Sequence, residues 1–488
     1  MFVEKLRDYF DDMTVYKNLR KSNVFLTLSL PAFMRDWLLR KFEDDQGEFD
    51  LDKLVRFKNK YIPQKDDWNA IKNDLVIEGK TVKFLAQISI NIDIQTGKVS
   101  FALPEFGLGF NDTIIEPHVW DTCKCDLIKG ETTWGMLELV YHDSDYLSYL
   151  SESSGGCGQI ALQSFKNFCP YEINLDYYKE ARKAFTIDEW IQVILGGVDY
   201  CADGFQNEQE KITLLTRLLP FAEKRLNLIE LAPKGTGKST VFGRISRYGW
   251  LVNGGTLTRA KMFYDVSRRK EGLVANHDFV VLDEVQTIAF GNENEMRAAL
   301  KGYLEQGIYT VGDHSGIADA GVVLCGNCRA ETMAGGGYTN MFSELPTVFH
   351  ESALIERFHG FIKGWEIPRM HDDLKINGWA LNSEYFSSIM HQLRDDMVYQ
   401  NIVDEYIIVP SCADTRDTNA VKRIATAYLK LLFPHVRDVD DIEPKDFFNY
   451  CFNRARYMRS IIKYQLGLLD IEYKGKGLPE YKVKGYGE

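Results

Sequence analysis

The stretch NLIELAPKGTGKST, from Asn227 to Thr240, decides the fold. An apolar run typical of a buried strand leads into two glycines, a lysine and two hydroxyl residues, and the following TVFGRISRYG is compatible with a helix. A glycine-rich loop between a strand and a helix turns its backbone N–H groups toward phosphate oxygens at the helix N-terminus. We therefore interpret the stretch as a P-loop that binds a nucleotide.

The loop also supplies the side chains that this chemistry needs. Lys238 is expected to reach the β- and γ-phosphates, and Ser239 to supply an oxygen to Mg²⁺. Ala232 stands where the usual pattern has its first glycine, but the part next to the helix is intact. The predicted nucleotide-binding residues are Gly235, Thr236, Gly237, Lys238, Ser239 and Thr240.

A second apolar run, FVVLDE, ends in the carboxylates Asp283 and Glu284. It is typical of a buried parallel strand, and the carboxyl ends of such strands meet at one edge of the sheet, beside the phosphates. We expect Asp283 to hold Mg²⁺ and Glu284 to orient and deprotonate the attacking water. The expected reaction is hydrolysis of ATP rather than transfer of the phosphoryl group to another substrate.

A third run, GVVLCGN, ends in Asn327, whose amide could contact the γ-phosphate or the attacking water; the alternative is that it caps a turn. Hydrolysis of this kind usually needs a positive charge at the transition state. Arg357, in ALIERFHG, is the candidate, and a neighbouring subunit would supply it; the alternative is an ordinary surface arginine.

Around these motifs, strands alternate with helices from FTIDEWIQVILGG onward, which indicates a parallel α/β sheet. Before that, KTVKFLAQISINIDIQTGKVSFALPEFGLG, residues 80–109, alternates apolar and polar positions around a Thr-Gly turn, and TWGMLELVYHD predicts another strand. SESSGGCGQ, residues 151–159, is expected to be a loop near a domain edge, and residues after about 372 are expected to be mostly helical.

Together the motifs resemble the AAA+ ATPases. The strings FTIDEWIQVILGG, LVANHDFVVLDEVQTI and ADAGVVLCGN more narrowly resemble the BrxL family, the Lon-like AAA+ components of bacterial BREX phage-defence systems. The resemblance spans most of the chain. It implies a P-loop ATPase core at 181–372, a helical lid with a basic segment at 373–488, and a mixed α/β-rich, OB-like domain at 1–180 that is a candidate for DNA binding.

The resemblance also assigns further residues. It implies that Arg416 folds down from the lid onto the γ-phosphate, with Arg423 as the second choice; either could be a plain helix residue. Family members usually carry a C-terminal Lon-type protease-like domain with a Ser-Lys dyad, and YKGKGLPEYKVKGYGE does not fit one. We therefore expect ATP hydrolysis without proteolysis.

The family is in turn similar to the MCM helicases, which form rings around duplex DNA. The segment YLEQGIYTVGDHSGIADAGVVL fits that comparison as a helix, a hairpin turning near residues 312–316 and a strand; His314 is a weak DNA-contact candidate. The implied assembly is a homo-oligomer, a hexameric ring or stacked rings, on double-stranded DNA. It would act in phage defence as a translocase or an ATP-gated clamp, beside other defence proteins. The alternatives are a protein-remodelling factor and a Lon-type protease component.

The net charge of −12 argues against a surface that is basic throughout, although a local basic site is compatible with it. Residues 451–488 carry eight Lys and Arg against four Asp and Glu, and Arg456, Arg459 and Lys463 share one face of a predicted helix. That face is a DNA candidate or a solvated surface. The N-terminus is charged and no run is long enough to span a membrane, so we expect a cytoplasmic protein without a membrane partner. The cysteines are expected to be free thiols, with Cys123 and Cys125 on one face of a strand.

Overall fold

The computed structural model describes residues 2–19, 32–42, 50–128, 133–143, 158–167, 173–336, 338–411 and 413–486. Contacts within the chain divide it into two units. The core unit comprises residues 1–40 and 173–488, and the smaller unit comprises residues 41–172. The domain boundaries that the sequence suggests near residues 180 and 372 stay predictions.

The strands of the described residues are numbered in chain order. They are β1 (Thr14–Asn18), β2 (Val82–Ile92), β3 (Val99–Ala102), β4 (Thr113–Ile115), β5 (Thr133–His142), β6 (Gln159–Asn167), β7 (Leu228–Ala232), β8 (Gly249–Leu257), β9 (Tyr264–Asp265), β10 (Lys270–Glu271), β11 (Phe279–Phe290), β12 (Ile308–Val311), β13 (His314–Ile317), β14 (Gly321–Asn327), β15 (Gly360–Lys363), β16 (Asn377–Leu381), β17 (Ile407–Ile408) and β18 (Lys482–Val483).

The α-helices of the same residues are also numbered in chain order. They are α1 (Phe2–Phe10), α2 (Ala32–Phe42), α3 (Leu51–Tyr61), α4 (Trp68–Lys72), α5 (Pro117–Leu127), α6 (Leu175–Arg182), α7 (Ile187–Gly197), α8 (Glu208–Leu215), α9 (Leu219–Ala222), α10 (Lys238–Arg244), α11 (Arg259–Met262), α12 (Leu273–Asn276), α13 (Glu293–Gln306), α14 (Ala330–Ala334), α15 (Ser352–Ile355), α16 (Ser383–Leu393), α17 (Val398–Tyr406), α18 (Thr415–Leu432), α19 (Pro444–Asp446) and α20 (Asn453–Leu469).

Five parallel strands form the central sheet of the core unit, in the order β15-β7-β14-β11-β8. Every residue of β7 is buried, as expected for a strand covered on both faces. Because β14 lies between β7 and β11, the carboxyl ends of the P-loop strand and of the acidic strand flank the end of β14. The parallel α/β sheet predicted from the sequence is confirmed.

Apolar side chains from helices and strands pack into one core around this sheet. Leu300 and Leu304 of α13 and Leu466 of α20 lie in the same cluster as Leu282 of β11 and Leu324 of β14. Burying a side chain of this size stabilises a fold by about 1.5–3 kcal/mol. The sheet that carries the P-loop is therefore packed against a well-buried apolar core.

The hairpin predicted near residues 312–316 is confirmed. Helix α13 leads into β12, which pairs antiparallel with β13, and β14 follows. Gly312 in the turn has a φ of 61°, a conformation that glycine adopts without strain.

The smaller unit is rich in β-strands, with a sheet of order β3-β2-β5-β6-β4 in which β4 and β6 are parallel. The β2–β3 pair and β5 confirm the strands predicted there. The OB-like fold of this part stays a prediction. One interpretation is wrong: Cys123 and Cys125 lie on α5, because Pro117 begins a helix where a strand was expected. In the predicted loop SESSGGCGQ, residues 151–157 lie outside the described residues.

Residues after 372 are mostly helical, as predicted, but the basic face of α20 is not a solvated surface. Arg459 and Lys463 are buried, and both contact the carboxylate of Asp417 on α18, at 2.7 and 2.6 Å. A buried cation needs a partner of opposite charge, and the carboxylate of Asp417 serves both Arg459 and Lys463. Two of the three basic residues that suggested a DNA site therefore hold α18 and α20 together.

Candidate ATP-hydrolysis site

The P-loop leaves β7 after Ala232 and enters α10 at Lys238. Gly235 and Gly237 have φ angles of 82° and 79°, in the left-handed region. At Gly237 a Cβ atom would also lie 2.3 Å from the hydroxyl oxygen of Tyr200. Only glycine fits there without displacing that ring, so the curve of the loop is set by both backbone conformation and packing.

A buried ion pair lies beneath the loop. Arg217 and Glu230 are both fully buried, and the guanidinium donates to the carboxylate from Nε and Nη2, at 2.5–3.2 Å. Although burial disfavours its charge, the carboxylate of Glu230 raises the pKa of Arg217. Arg217 also donates to the carbonyl oxygen of Thr236 at 2.6 Å and to its hydroxyl at 3.1 Å. The P-loop is thus fixed to β7 through two charged side chains.

A second contact holds the loop from the other side. The backbone N–H of Met370 donates to the carbonyl oxygen of Gly235 at 2.8 Å. Tyr200, beside Gly237, is almost fully buried, and burial raises the pKa of its hydroxyl to about 12, so it stays protonated at neutral pH. Both residues come from loops that are distant in sequence from the P-loop.

The proposed metal-binding residues are in contact. The Ser239 hydroxyl, at the start of α10, donates to the carboxylate of Asp283 at 2.5 Å, and Asp283 is 2% exposed at the end of the apolar part of β11. Hydroxyl and carboxylate oxygens are the donors that Mg²⁺ prefers. Ser239 and Asp283 therefore fit Mg²⁺, which when bound would neutralise charge on the phosphates.

Glu284 stands on irregular backbone. Its φ is 46°, which is uncommon for a residue with a side chain and costs about 1–3 kcal/mol. The pairing of β11 with β8 shifts register between Asp283 and Ile288, so the ladder is interrupted at this point. The backbone N–H of Glu284 donates to the Asp283 carboxylate at 2.9 Å, and Glu284 is exposed. The irregularity leaves Glu284 accessible to a water molecule.

Asn327 ends β14, between the strands of the P-loop and of the acidic pair. Its side-chain oxygen lies 3.5 Å from the Lys238 ammonium. The side-chain amide of Gln286 donates to the Asn327 carbonyl at 2.7 Å and accepts from its N–H at 3.3 Å. Gln286 of β11 thus links the irregular part of that strand to the end of β14, and Asn327 joins the same site as Lys238.

The two arginines lie elsewhere. Arg357 comes three residues before β15, whose Gly360 pairs with Leu228 at the start of β7, so Arg357 is at the amino edge of the sheet. Its Nε lies 2.7 Å from the Glu305 carboxylate. Arg416 contacts the same carboxylate at 3.1 Å. The structure does not bring either arginine to the P-loop of its own chain.

Arg423, the second choice for a phosphate-contacting lid residue, also lies at the amino edge. It is largely buried and donates to the carbonyl oxygens of Lys224 and Arg225, at 3.3 and 3.1 Å, just before β7. Arg423 therefore stabilises the segment that leads into β7.

The sequence reasoning missed the residues that support the loop: Arg217, Glu230, Tyr200, Met370 and Gln286. For two of them a signal was present, since Glu230 interrupts the apolar run LIELA and Arg217 interrupts LLTRLLPF. A charged residue in a buried run needs a partner of opposite charge. The other three carry no such signal, because their contacts arise only when segments that are distant along the chain fold together.

The site defines an α/β nucleotide-binding core of the P-loop class, since it combines a strand, a P-loop, an acidic pair and a polar strand end. Comparison with known proteins identifies the family within this class. Residues 160–478 match the family described as "Lon-like protease BrxL-like, ATPase domain", and residues 8–141 match "BREX system Lon protease-like protein BrxL N-terminal". The chain belongs to the BrxL family.

Two relatives are each named "Lon-like protease BrxL". The chain is 26% identical to the one from Escherichia coli O9:H4 (strain HS) over 465 residues, and 26% identical to the one from Bacillus cereus (strain H3081.97) over 449 residues. These matches cover 94% and 90% of this chain and 64% of each relative. Separately, none of the helices in the described residues has the length and apolarity needed to cross a membrane.

Substitution of Glu284 by Gln is expected to keep ATP binding but to slow hydrolysis by about 10²–10⁴-fold, because the amide keeps the shape and loses the base. Lys238→Ala is expected to lose ATP binding. Glu331→Gln, at another exposed glutamate just after β14, is the control and keeps the parent rate. Steady-state ATPase rates and ATP affinity measure these effects. Hydrolysis by Glu284→Gln at the parent rate would rule out Glu284 as the base.

Substitution of Arg217 by Met is expected to lower the free energy of unfolding by about 3–5 kcal/mol, because it leaves Glu230 charged and buried. The double variant Arg217→Met with Glu230→Met is expected to regain most of that stability. It should still bind ATP more weakly than the parent, because no guanidinium then donates to Thr236. Urea unfolding and ATP titration test this. A double variant with parental ATP affinity would contradict a role for Arg217 in fixing the loop.

Proposed function

We propose that the protein is an AAA+ ATPase that hydrolyses ATP with Mg²⁺ at a site shared between two copies of the chain. One observation carries this proposal: Lys238, Asp283 and Glu284 lie at the carboxyl edge of the sheet, and Arg357 lies at its amino edge. The five residues of β7 separate these edges by roughly 15 Å. Arg357 can therefore serve only the ATP of a neighbouring copy.

Such an arrangement supports a ring. A contact between the P-loop face of one copy and the Arg357 face of the next uses two different surfaces, and head-to-tail contacts of this kind close into rings when the rotation allows. We propose a hexameric ring or stacked rings. Helices α16 to α20 would be the lid of the ATPase core in this assembly.

Double-stranded DNA is the proposed partner, and the two hairpins at the amino side of the sheet support a contact surface. The β12–β13 hairpin carries no Lys or Arg between residues 308 and 320. The β9–β10 hairpin presents Arg268, Arg269 and Lys270, all exposed. The smaller unit, with 13 Lys and Arg against 22 Asp and Glu, is less suited to bind phosphates.

The two hairpins are joined to each other. The His314 ring stacks on the Tyr264 ring, with centroids 3.6 Å apart, and its Nε2 lies 3.1 Å from the Glu271 carboxylate. Tyr309 donates to the same carboxylate. His314 therefore supports the basic hairpin and does not need to touch DNA itself. We name Arg268, Arg269 and Lys270 as the proposed phosphate contacts.

The family assignment supports a place in BREX-type phage defence, where the protein would act on DNA as a translocase or as an ATP-gated clamp, together with other defence proteins. Both modes use the same ATP pocket. In each, binding and hydrolysis of ATP would change the contact between neighbouring copies, and the joined hairpins would carry that change to the DNA.

Arg357→Ala is expected to bind ATP normally and to reduce hydrolysis by on the order of 10³-fold, because the transition-state charge lacks its cation. Mixing it with Glu284→Gln is expected to restore part of the rate, at interfaces that receive Glu284 from one variant and Arg357 from the other. ATPase assays on mixtures, with subunit mixing checked by tagged copies, measure this. If mixed assemblies form and stay inactive, Arg357 does not act on a neighbour.

Duplex DNA binding is expected to show little sequence preference and to weaken steeply with salt, since phosphate contacts release counterions. Replacing Arg268, Arg269 and Lys270 by Ser should lower the salt slope by about one for each phosphate that the variant no longer neutralises. The control replaces the exposed Lys474, Lys476 and Lys482 by Ser and keeps the parental slope. Binding of a duplex is measured over a salt series with nucleotide. Absence of binding at low salt would favour a protein-remodelling role instead.

A further inference from the structure

Arg357 and Arg416 share one carboxylate in the folded chain. Glu305, at the end of α13, lies 2.7 Å from Arg357 Nε, in a close ion pair, and accepts from Nε and Nη2 of Arg416, both at 3.1 Å. The third guanidinium nitrogen of Arg416, Nη1, donates to the buried carboxylate of Glu356 at 2.5 Å. The groups form a chain in the order Glu356, Arg416, Glu305, Arg357.

Arg357 and Arg416 differ in how many of their guanidinium nitrogens contact carboxylates of their own chain. All three guanidinium nitrogens of Arg416 contact carboxylates of its own chain. Arg357 Nε is buried and pairs with Glu305 as an ion pair without hydrogen-bond geometry, and Nη1 donates to the carbonyl oxygen of Ala353. Its Nη2 makes no hydrogen bond among the described residues. Arg357 can therefore offer a nitrogen to a phosphate, whereas Arg416 would first have to break its contacts with two carboxylates.

The backbone on both sides of Arg357 is also fixed. Arg459 of α20 donates to the carbonyl oxygens of Glu356 at 3.0 Å and Phe358 at 2.6 Å. The N–H of His359 donates to the Asn227 carbonyl at 2.8 Å. The segment is thus held in place at its main chain, and Glu305 and Arg416 fix the direction of the side chain.

We propose that Arg416 and Glu305 are positioning residues: Arg416 holds Glu305, and Glu305 orients the guanidinium of Arg357 toward the ATP of the neighbouring copy. Glu305 lies between two like charges, so its removal leaves Arg416 bound only to Glu356 and takes the carboxylate away from Arg357 Nε. This assignment rests on the shared ATP site proposed above. It replaces the expectation that Arg416 itself touches the γ-phosphate.

Non-additivity tests the proposal. Glu305→Gln and Arg416→Gln are each expected to lower kcat by about tenfold to 10²-fold, the cost of misplacing a catalytic group by a fraction of an ångström to 1 Å, without changing the KM for ATP. The double variant should lose no more than the larger single loss, because both changes break the same chain. Arg416→Lys should recover part of kcat. Glu405→Gln, in an exposed ion pair with Lys484, is the control and keeps the parental kcat.

Mixing experiments test whether Glu305 acts on the Arg357 side or on the Glu284 side of the shared ATP site. Glu305→Gln mixed with Glu284→Gln should regain activity, and Glu305→Gln mixed with Arg357→Ala should not, because both carry the defect on the same side. Thermal melting of each variant checks folding. Losses that multiply in the double variant, or a parental kcat in Glu305→Gln, would overturn the proposal. A parent without ATPase activity, or one whose Glu284→Gln variant keeps the full rate, would instead overturn the proposed site.

Discussion

The buried pair of Arg217 and Glu230 is the constraint on which the ATP site depends. Placing two charges in a fully apolar setting is unfavourable unless each has its full set of partners, and Arg217 reaches that condition only by also donating to Thr236. The buried guanidinium of Arg217 therefore has its full set of hydrogen-bond partners only when the P-loop adopts the observed conformation. A loop that moved away from β7 would leave a buried donor unpaired, so the ion pair favours the curved conformation of the loop.

The parallel sheet then separates the chemical tasks. All its strands run in one direction, so the residues that follow the strands gather at one edge and those that precede them gather at the other. Lys238 follows β7, Asp283 comes directly after the part of β11 that pairs with β14, and Asn327 ends β14. Arg357, in contrast, precedes β15. This division explains why Arg357 does not reach the P-loop of its own chain.

Some of the positive charge of this acidic protein is buried inside the fold. Arg459 and Lys463 neutralise Asp417, and Arg459 at the same time fixes the main chain around Arg357. The helical part is thereby linked to the residue proposed to act on a neighbouring copy. The cations of the β9–β10 hairpin are exposed instead, and Arg268 contacts only the partly exposed carboxylate of Asp265, at 3.9 Å.

The sequence by itself determined the P-loop, the acidic strand, the polar strand end and the hairpin, because each depends on residues that are adjacent along the chain. Apolar runs that end in Asp283 or Asn327 predict both a strand and the edge at which it ends. Tertiary structure alone decided which cations are buried and that Arg416 meets Glu305 rather than the P-loop. These outcomes depend on contacts between residues that are distant along the chain, or on packing that outweighs local pattern, and spacing in the sequence does not encode them.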